Sequence, residues 1–349
     1  MQSPGSYTME NEMPVTSSVL ITVPVHNALA HALDCLKSFE QEGQSMADIL
    51  IVDNGSTNET AATIKRLFPQ VKIVRQANLG YSAAANVGIT ESLKRNYKYT
   101  WLLNSDTVVL RKTPWTLETF MDLPENRRVG ACSPVIYRGD DASVVDFAGG
   151  WLNRANWSVR HINDPASGDK ALRAKPLETF LTGSALFIRN RAATEAGMFD
   201  ERFFMYWEDC DFSIRLVNHG WGLRLVPSAV VLHRMQGSSG GNGGRTPFSI
   251  YYETRNCFLL WRQYSKGLIS RLITLPRILH WIVRTFINRR FSLLNEAKCA
   301  AVEGVVDGLA GRYGQKARSL TKRQIQVIAL LLWYAVLPVR LISQLSQVK

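Results

Sequence analysis

The chain has 349 residues, 46% of them hydrophobic, which is enough length and apolar content for a full α/β core plus an extension and excludes a disordered polymer. Its net charge of +12 is unevenly placed: residues 1–243 carry 24 Lys and Arg against 25 Asp and Glu, and residues 244–349 carry 17 against 4. Five scattered cysteines (Cys35, Cys132, Cys210, Cys257, Cys299) with no CxxC spacing exclude a disulfide framework and fit reduced thiols in a cytoplasmic setting.

Residues 1–17 are polar, with neither a basic start nor an apolar run, and read as a disordered or tag-like lead-in and not a signal peptide. From residue 18, short β-branched runs alternate with amphipathic stretches. SVLITVPVHN is a strand, 28–41 a helix, and ADILIVDNGS a second strand. The next helix opens at STNE, where Ser56 and Glu59 have capping-box spacing. VKIVRQ is a third strand, YSAAANVGITESLK a helix, and YTWLLNSDTVVL a fourth strand. Strand–helix alternation with Val/Ile/Leu-rich strands predicts a mostly parallel sheet with helices on both faces. Residues 111–180 are less regular, and HINDPASGDKALRAKP reads as a mobile loop. FLTGSALFIRN is a strand, a helix begins near Glu208, and GLRLVPSAVVLHR is a strand ending near His233. The glycine-rich QGSSGGNGGR is a flexible divider at the point where the charge changes. Helices then cover about 248–264, 268–290, 293–313 and 321–347.

In open parallel sheets, ligands bind beyond the carboxyl ends of the strands, and Pro24, Asp53 and Asp106 all fall at such ends. Asp53 is either a turn residue or a carboxylate for a nucleotide base or ribose. Asp106, at the end of the tripeptide NSD, suits Mg²⁺ or Mn²⁺ shared with substrate phosphates, because hard cations prefer oxygen ligands. WEDCD (207–211) is either a helix start whose acids favour the macrodipole, or the source of a general base within reach of an acceptor hydroxyl. His233, at a strand end, is either structural or a ligand.

The ordered series VPVHN, IVDNGSTNET, NLGYSAAANVGI, LLNSDTVV, TGSALFIRN, FDERFFMYWEDCDFSIRLVNHGW and VVLHR resembles the inverting family 2 glycosyltransferases of GT-A fold, over about residues 18–235. Within them it is most similar to bacterial rhamnosyltransferase-like enzymes of O-antigen and cell-wall glycan assembly, and YYETRNCFLLWR and GVVDGLAGRYG extend that likeness. The resemblance implies that Asp53 contacts a pyrimidine base, with Pro24, Val25 and Asn27 around the nucleotide. It places Asn78, Gly80, Asn86, Asn104 and Ser105 against the nucleotide-sugar. Asp106 corresponds to the last acid of the family's DxD motif, whose first position here is Asn104, and His233 completes the metal site. Asp209 corresponds to the catalytic base, with Glu208 as its fallback. The implied donor is dTDP-rhamnose, with UDP-sugars next, and the implied acceptor is a polyprenyl-diphosphate-linked glycan.

The basic tail is read from its own pattern. In LISRLITLPRILHWIVRTFINRR, Arg271, Arg277, Arg284, Arg289 and Arg290 stand among Leu, Ile, Trp and Phe. Such a segment either lies in an anionic membrane interface or packs on the catalytic unit with a solvated basic face, and Pro276 would start or kink its helix. IQVIALLLWYAVLPVRLI (325–342) is short for a bilayer span and suits a monotopic or dimer-packing helix. The expected organisation is therefore a lead-in 1–17, a GT-A domain 18–243 and a helical extension 244–349, peripheral on the inner face of the cytoplasmic membrane. A nucleotidyltransferase would open with a Gly-rich phosphate loop, and a dinucleotide-dependent oxidoreductase with GxGxxG; neither follows the first strand. A non-enzymatic nucleic-acid binder would use the basic tail but leave the acids at 208–211 without a role, so no nucleic-acid partner is expected.

Overall fold

The computed structural model describes residues 18–110, 112–234, 245–287 and 295–335. The lead-in, most of the glycine-rich tract, Arg289–Arg290 and the apolar segment beyond residue 335 lie outside the described residues.

The chain runs β1 (Val19–Val25), α1 (Leu29–Gln41), β2 (Ile49–Asn54), α2 (Thr60–Leu67), β3 (Lys72–Gln76), α3 (Tyr81–Lys94) and β4 (Tyr99–Leu103). It continues through β5 (Thr107–Leu110), α4 (Thr113–Asp122), β6 (Val129–Arg138), β7 (Val145–Phe147), β8 (Gly150–Asn153), β9 (Ser158–His161) and α5 (Pro165–Ala174). Then come β10 (Thr179–Phe180), β11 (Ala185–Arg189), α6 (Asn190–Ala196), α7 (Glu208–Asn218) and β12 (Gly222–His233). Four helices follow: α8 (Pro247–Tyr264), α9 (Leu268–Ile282), α10 (Glu296–Leu309) and α11 (Lys322–Ala335), with a π-helical turn at Val283–Ile287 directly after α9.

The central sheet has the order β3-β2-β1-β4-β11-β6-β12-β5, with β7 added on β6. The strands β3, β2, β1 and β4 are mutually parallel, β11 and β5 run against their neighbours, and β6 and β12 are parallel. Alternation along β1 explains both faces. Val19, Ile21, Val23 and Val25 pack in one apolar cluster with Leu36 and Phe39 of α1, while Leu20 packs with Leu50, Val52 and Ala84 on the other face. Each such aliphatic side chain contributes about 1.5–3 kcal/mol on burial. The α/β expectation holds.

The same cluster continues into the C-terminal helices through Ile250, Phe258, Ile278, Val302 and Ile325. The GVVDGLAGRYG segment makes this packing possible. A Cβ at Gly304 would come within 2.6 Å of the Tyr251 carbonyl oxygen, so α10 can lie close on α8 only with glycine there. Asp307 accepts from the Tyr251 hydroxyl at 2.8 Å and from Arg312 at 3.0 Å.

Five local expectations are corrected. Ser56 is not a helix cap: its N–H donates to Asp53 and its hydroxyl accepts from Asn27, while Asn58 Oδ1 takes the Thr60 N–H at the helix start. The fourth strand breaks at Asn104–Asp106, where the Thr107 N–H bonds back to the Asn104 carbonyl, and β5 leaves to pair with β12. The expected loop 161–176 contains α5, capped by Asp164 Oδ2 on the Ser167 N–H at 2.9 Å and opened by Pro165. Those are ordinary helix-start signals, and buried Ala171 and Leu172 pay for the ordering. FLTGSALFIRN is two strands, separated at Leu181–Ser184. The helix expected over 268–290 runs through Pro276 rather than starting there. The five cysteines are free, four of them buried.

Candidate active site

The first corner of the site lies where β1, β2 and β3 end together. Parallel register sets Pro24 beside Val52 and Val25 beside Asp53. Asp53 is completely buried and both its oxygens are occupied: Oδ1 accepts the Ser56 N–H at 2.9 Å, and Oδ2 accepts Arg75 Nε at 2.9 Å. Asn27 closes the turn, its N–H donating to the Ser56 hydroxyl at 3.0 Å and its Oδ1 accepting the Thr57 N–H at 2.9 Å. Asn54, one residue past Asp53, ties the loop after β3 into place. Its Nδ2 reaches the Gly80 carbonyl at 3.1 Å and Asn78 Oδ1 at 3.3 Å, and its Oδ1 accepts from Gln76 at 2.8 Å and the Leu79 N–H at 3.2 Å. Buried polar groups are thereby paired, which makes this corner rigid.

The second corner joins β4, β5 and β12. His233 Nε2 stands 3.1 Å from Asp106 Oδ1 and 3.5 Å from Asn104 Nδ2. Burial pulls the His233 imidazole down, but the hydrogen bond and charge of Asp106 outweigh it and leave the ring more basic than usual. The backbone N–H of Asn104 donates to Ser184 at 2.9 Å. Among the described residues no group of three or more His, Cys, Asp and Glu is placed to hold a metal ion. Asp106 and His233 are two side chains that would hold a cation only together with donor phosphates and water, as hard cations are often held.

The third corner is the start of α7, and the approach to it is strained. Phe204, Tyr206 and Trp207 all have positive φ (63°, 66° and 72°) although none is glycine. At Phe204 (φ 63°, ψ −59°) the chain makes a γ-turn of the rare positive-φ form, the Met205 N–H bonding the Phe203 carbonyl at 2.7 Å. Such residues cost about 1–3 kcal/mol each and persist only where surroundings over-determine them. Here α8 does so. Asn256 Nδ2 donates to the carbonyls of Phe203, Met205 and Tyr206 at 2.8, 2.8 and 2.9 Å. Arg255 Nη2 reaches the Phe203 carbonyl at 2.8 Å, and Trp207 Nε1 reaches the Glu253 carbonyl at 2.8 Å. From the other side, the Tyr81 N–H donates to the Phe204 carbonyl at 2.6 Å. A Cβ on Gly80 would come within 2.2 Å of that same oxygen, so only glycine lets the loop after β3 meet this strap of residues 203–207.

The strap delivers two adjacent carboxyls into different surroundings. Asp209 is half-buried and accepts the N–H of Gly183 at 3.1 Å and of Cys210 at 2.8 Å. Glu208 is 6% exposed, and its Oε2 has no hydrogen-bond partner among the described residues. Burial holds the Glu208 carboxyl well above the usual carboxylate range, and the charges of Asp209 and Asp211 push it the same way. Burial also raises Asp209, but the two N–H groups and the nearby His161 oppose the rise. Burial therefore disfavours the charged form of Glu208 more than that of Asp209, which its two N–H donors make the better carboxylate of the pair. Asp211 is committed elsewhere, to Arg215 at 2.8 Å and the Tyr264 hydroxyl at 2.6 Å, where it locks α7 to α8.

Segment 181–184 connects the corners, because Gly183 touches Asp209 while Ser184 receives Asn104. Tyr81 bonds the Gly183 carbonyl at 2.5 Å. Asp53, Asn27 and Asn78 thus share the first corner, Asn104, Asp106 and His233 the second, and Glu208 and Asp209 the third; Ser105 sits in the turn beside Asp106. Asn86 is turned towards the strap: its side chain exchanges hydrogen bonds with the backbone of Phe199 and donates to Glu201. Asn54, Tyr81, Gly183, Arg255 and Asn256 were not singled out in the sequence. A buried asparagine following Arg in YYETRN was the available signal for the last of them.

The family model described as Glycosyl transferase family 2 matches residues 20–192. The N-acetylglucosaminyl-diphospho-decaprenol L-rhamnosyltransferase of Mycobacterium tuberculosis is 30% identical over 224 residues, which cover 59% of this chain and 72% of that one. The dTDP-rhamnosyl transferase RfbF of Shigella flexneri is 22% identical over 247 residues, covering 68% of this chain and 77% of that one. Among solved structures, GalNAc-T7 with UDP, GalNAc and Mn²⁺ superposes with a TM-score of 0.50 at 17% identity, covering 77% of this chain and 56% of that one. This chain spans little more than half that structure's length, and the likeness is one of fold.

Proposed function

The chain belongs to glycosyl transferase family 2, and on that premise we propose that it transfers L-rhamnose from dTDP-rhamnose to a hydroxyl of a lipid-linked glycan, with inversion. The relatives from Mycobacterium tuberculosis and Shigella flexneri support the sugar, and the first of them supports an acceptor carried on a polyprenyl diphosphate. The observation that carries the chemistry is the split carboxyl pair at Glu208 and Asp209.

In the proposed reaction, the acceptor hydroxyl gives its proton to Asp209 as its oxygen bonds to the anomeric carbon. The bond from that carbon to the diphosphate oxygen breaks in the same step, and the nucleoside diphosphate leaves from the opposite face. The N–H groups of Gly183 and Cys210 hold the Asp209 carboxylate in place before the hydroxyl arrives. Burial of Glu208 disfavours a second negative charge next to it. Asp53 and Asn54 hold the loops around the base and sugar of the donor. A divalent cation, Mg²⁺ or Mn²⁺, bound by Asp106 and His233 would supply positive charge to the departing diphosphate.

Residues 18–243 form the catalytic unit of this reading, and the basic helices of 244–349 keep it at an anionic membrane surface on the cytoplasmic side. Among the described residues no helix is long and apolar enough to cross a membrane. Exposed Leu268, Ile269 and Leu272 on α9, and Val327, Leu331 and Tyr334 on α11, suit an interfacial position. The test is a transfer assay with dTDP-rhamnose and UDP-sugars as donors and a GlcNAc-diphospho-lipid as acceptor, the product's anomeric configuration being read by NMR. Rhamnosyl product of inverted configuration is expected. Transfer from UDP-sugars alone, or retained configuration, overturns the donor or the mechanism respectively.

A further inference from the structure

A separate cleft lies outside the three corners. The tip of the β8–β9 hairpin and the second half of α9 enclose a cleft of about 310 Å³, lined by Asn153, Ala155, Asn156, Arg277, His280, Trp281 and Arg284. No carboxylate lines it. Asn153 and Asn156 spend their side-chain oxygens on the N–H groups of Ala155 and Ser158, which leaves their NH₂ groups as donors. Arg277 and Arg284 are exposed and have no carboxylate partner among the described residues. This contrasts with Arg245, Arg312, Lys316 and Arg318, each paired with one of the few acids of the C-terminal helices. The π-helical turn that carries Arg284 is a form that often marks functional positions.

Two further observations orient the cleft. Along the 100° step of a helix, Ile269, Ile273, Arg277 and His280 fall on one stripe, and its first two members are 75% and 49% exposed. An exposed apolar track therefore runs directly into the donor-lined cleft. On the other side, β8 and β9 act as a ruler. Gly150, at one end of β8, pairs with His161 and with Phe180, three residues before the Gly183 whose N–H donates to Asp209, and Asn153 pairs with Ser158 at the cleft end. Three residues of strand span about 10 Å, roughly the reach of one sugar from a ring hydroxyl to the phosphates on its anomeric oxygen.

We propose that this cleft binds the diphosphate of a lipid-linked acceptor, with Arg277 and Arg284 as its charged ligands and the Ile269–Ile273 track under the first part of the lipid chain. The site rests on the lipid-linked acceptor of the proposed function. It sets the acceptor sugar between the diphosphate and Asp209, and Arg pairs are suited to phosphate oxygens by their fixed fork of donors.

The experiment compares the full chain with its Arg277→Ala/Arg284→Ala double variant by calorimetry, in saturating nucleoside diphosphate so that the donor site is filled. The probes are farnesyl diphosphate, farnesol and inorganic pyrophosphate. Farnesyl diphosphate is expected to bind the wild type more tightly than either other probe, and the double variant about tenfold or more weakly. Nucleoside diphosphate affinity is expected to be equal in both proteins, which verifies that the variant is folded. Equal farnesyl diphosphate affinity in the two proteins overturns the site, and equal affinity of the wild type for pyrophosphate and farnesyl diphosphate overturns the lipid track. The two readings fail separately. Transfer to the lipid acceptor with an unchanged acceptor KM in the variant removes the site alone; arginine-dependent binding without any transfer removes the function alone.

Discussion

The corner around Asp53 and the corner around Asp209 are both acidic, yet they are built on opposite plans. At Asp53 every polar atom is answered: two donors on the carboxylate, four partners on Asn54, and glycines where the loops turn. At Asp209 the approach is strained at three non-glycine residues, and the adjacent Glu208 is buried with one oxygen that has no partner among the described residues. Asp209 itself has an N–H on each oxygen, as Asp53 has a donor on each of its own, so the difference lies in its neighbour Glu208 and in the strained approach, which is held from outside by α8.

Breaking the third corner at its centre has the largest expected effect. Asp209→Asn lowers kcat by about 10²–10⁴, the usual contribution of a positioned base. In the wild type, kcat falls as pH drops through the Asp209 pKa, because the base works unprotonated. Burial raises that pKa, so the acid limb of the pH–rate profile lies above the ordinary aspartate value of about 3.9. Breaking the first corner acts on binding instead: Asp53→Asn weakens donor affinity about ten- to a hundredfold, the worth of a charged hydrogen bond, while kcat at saturating donor changes little.

The approach to the third corner can be loosened at Asn256. Asn256→Ala leaves three strap carbonyls without their amide donor, at a cost of about 1–3 kcal/mol in stability. It lowers kcat about tenfold or less, a milder loss than that of the base, as the strap relaxes. Donor affinity by calorimetry should stay near wild type, and equal loss of both would make Asn256 a general structural residue. The smallest effect belongs to Glu208→Gln. The folded chain keeps the Glu208 proton well above the pH, about 4.3, at which the unfolded chain releases it, so this group costs stability as pH rises past that value. The glutamine variant should therefore melt higher than wild type at pH 7, and the two should melt alike near pH 3.

The sequence made some of this legible and hid the rest for physical reasons. Alternation of β-branched runs with helical stretches placed Asp53 and Asp106 at strand ends because the two periods differ so sharply. The helix start at Glu208 was equally visible. The break after Leu103 was not, because NSD continues an apolar run on both sides, and only tertiary pairing of β5 with β12 separates them. Helix α5 was missed although Asp164 and Pro165 mark its start, since its polar exposed face dominates the pattern. The strap could not be read at all: its turn has no glycine, and the groups that hold it stand some fifty residues away on α8. Long-range hydrogen bonds to backbone carbonyls leave no mark on local composition.

Donor binding and proton removal are expected to separate between Asp53 and Asp209. Calorimetric titration of Asp209→Asn and Asp53→Asn with the nucleoside diphosphate, alongside their turnover, measures both at once. Asp209→Asn is expected to bind like wild type and fail to turn over, and Asp53→Asn to bind weakly and turn over when saturated. Loss of donor affinity in Asp209→Asn as deep as in Asp53→Asn would contradict this separation.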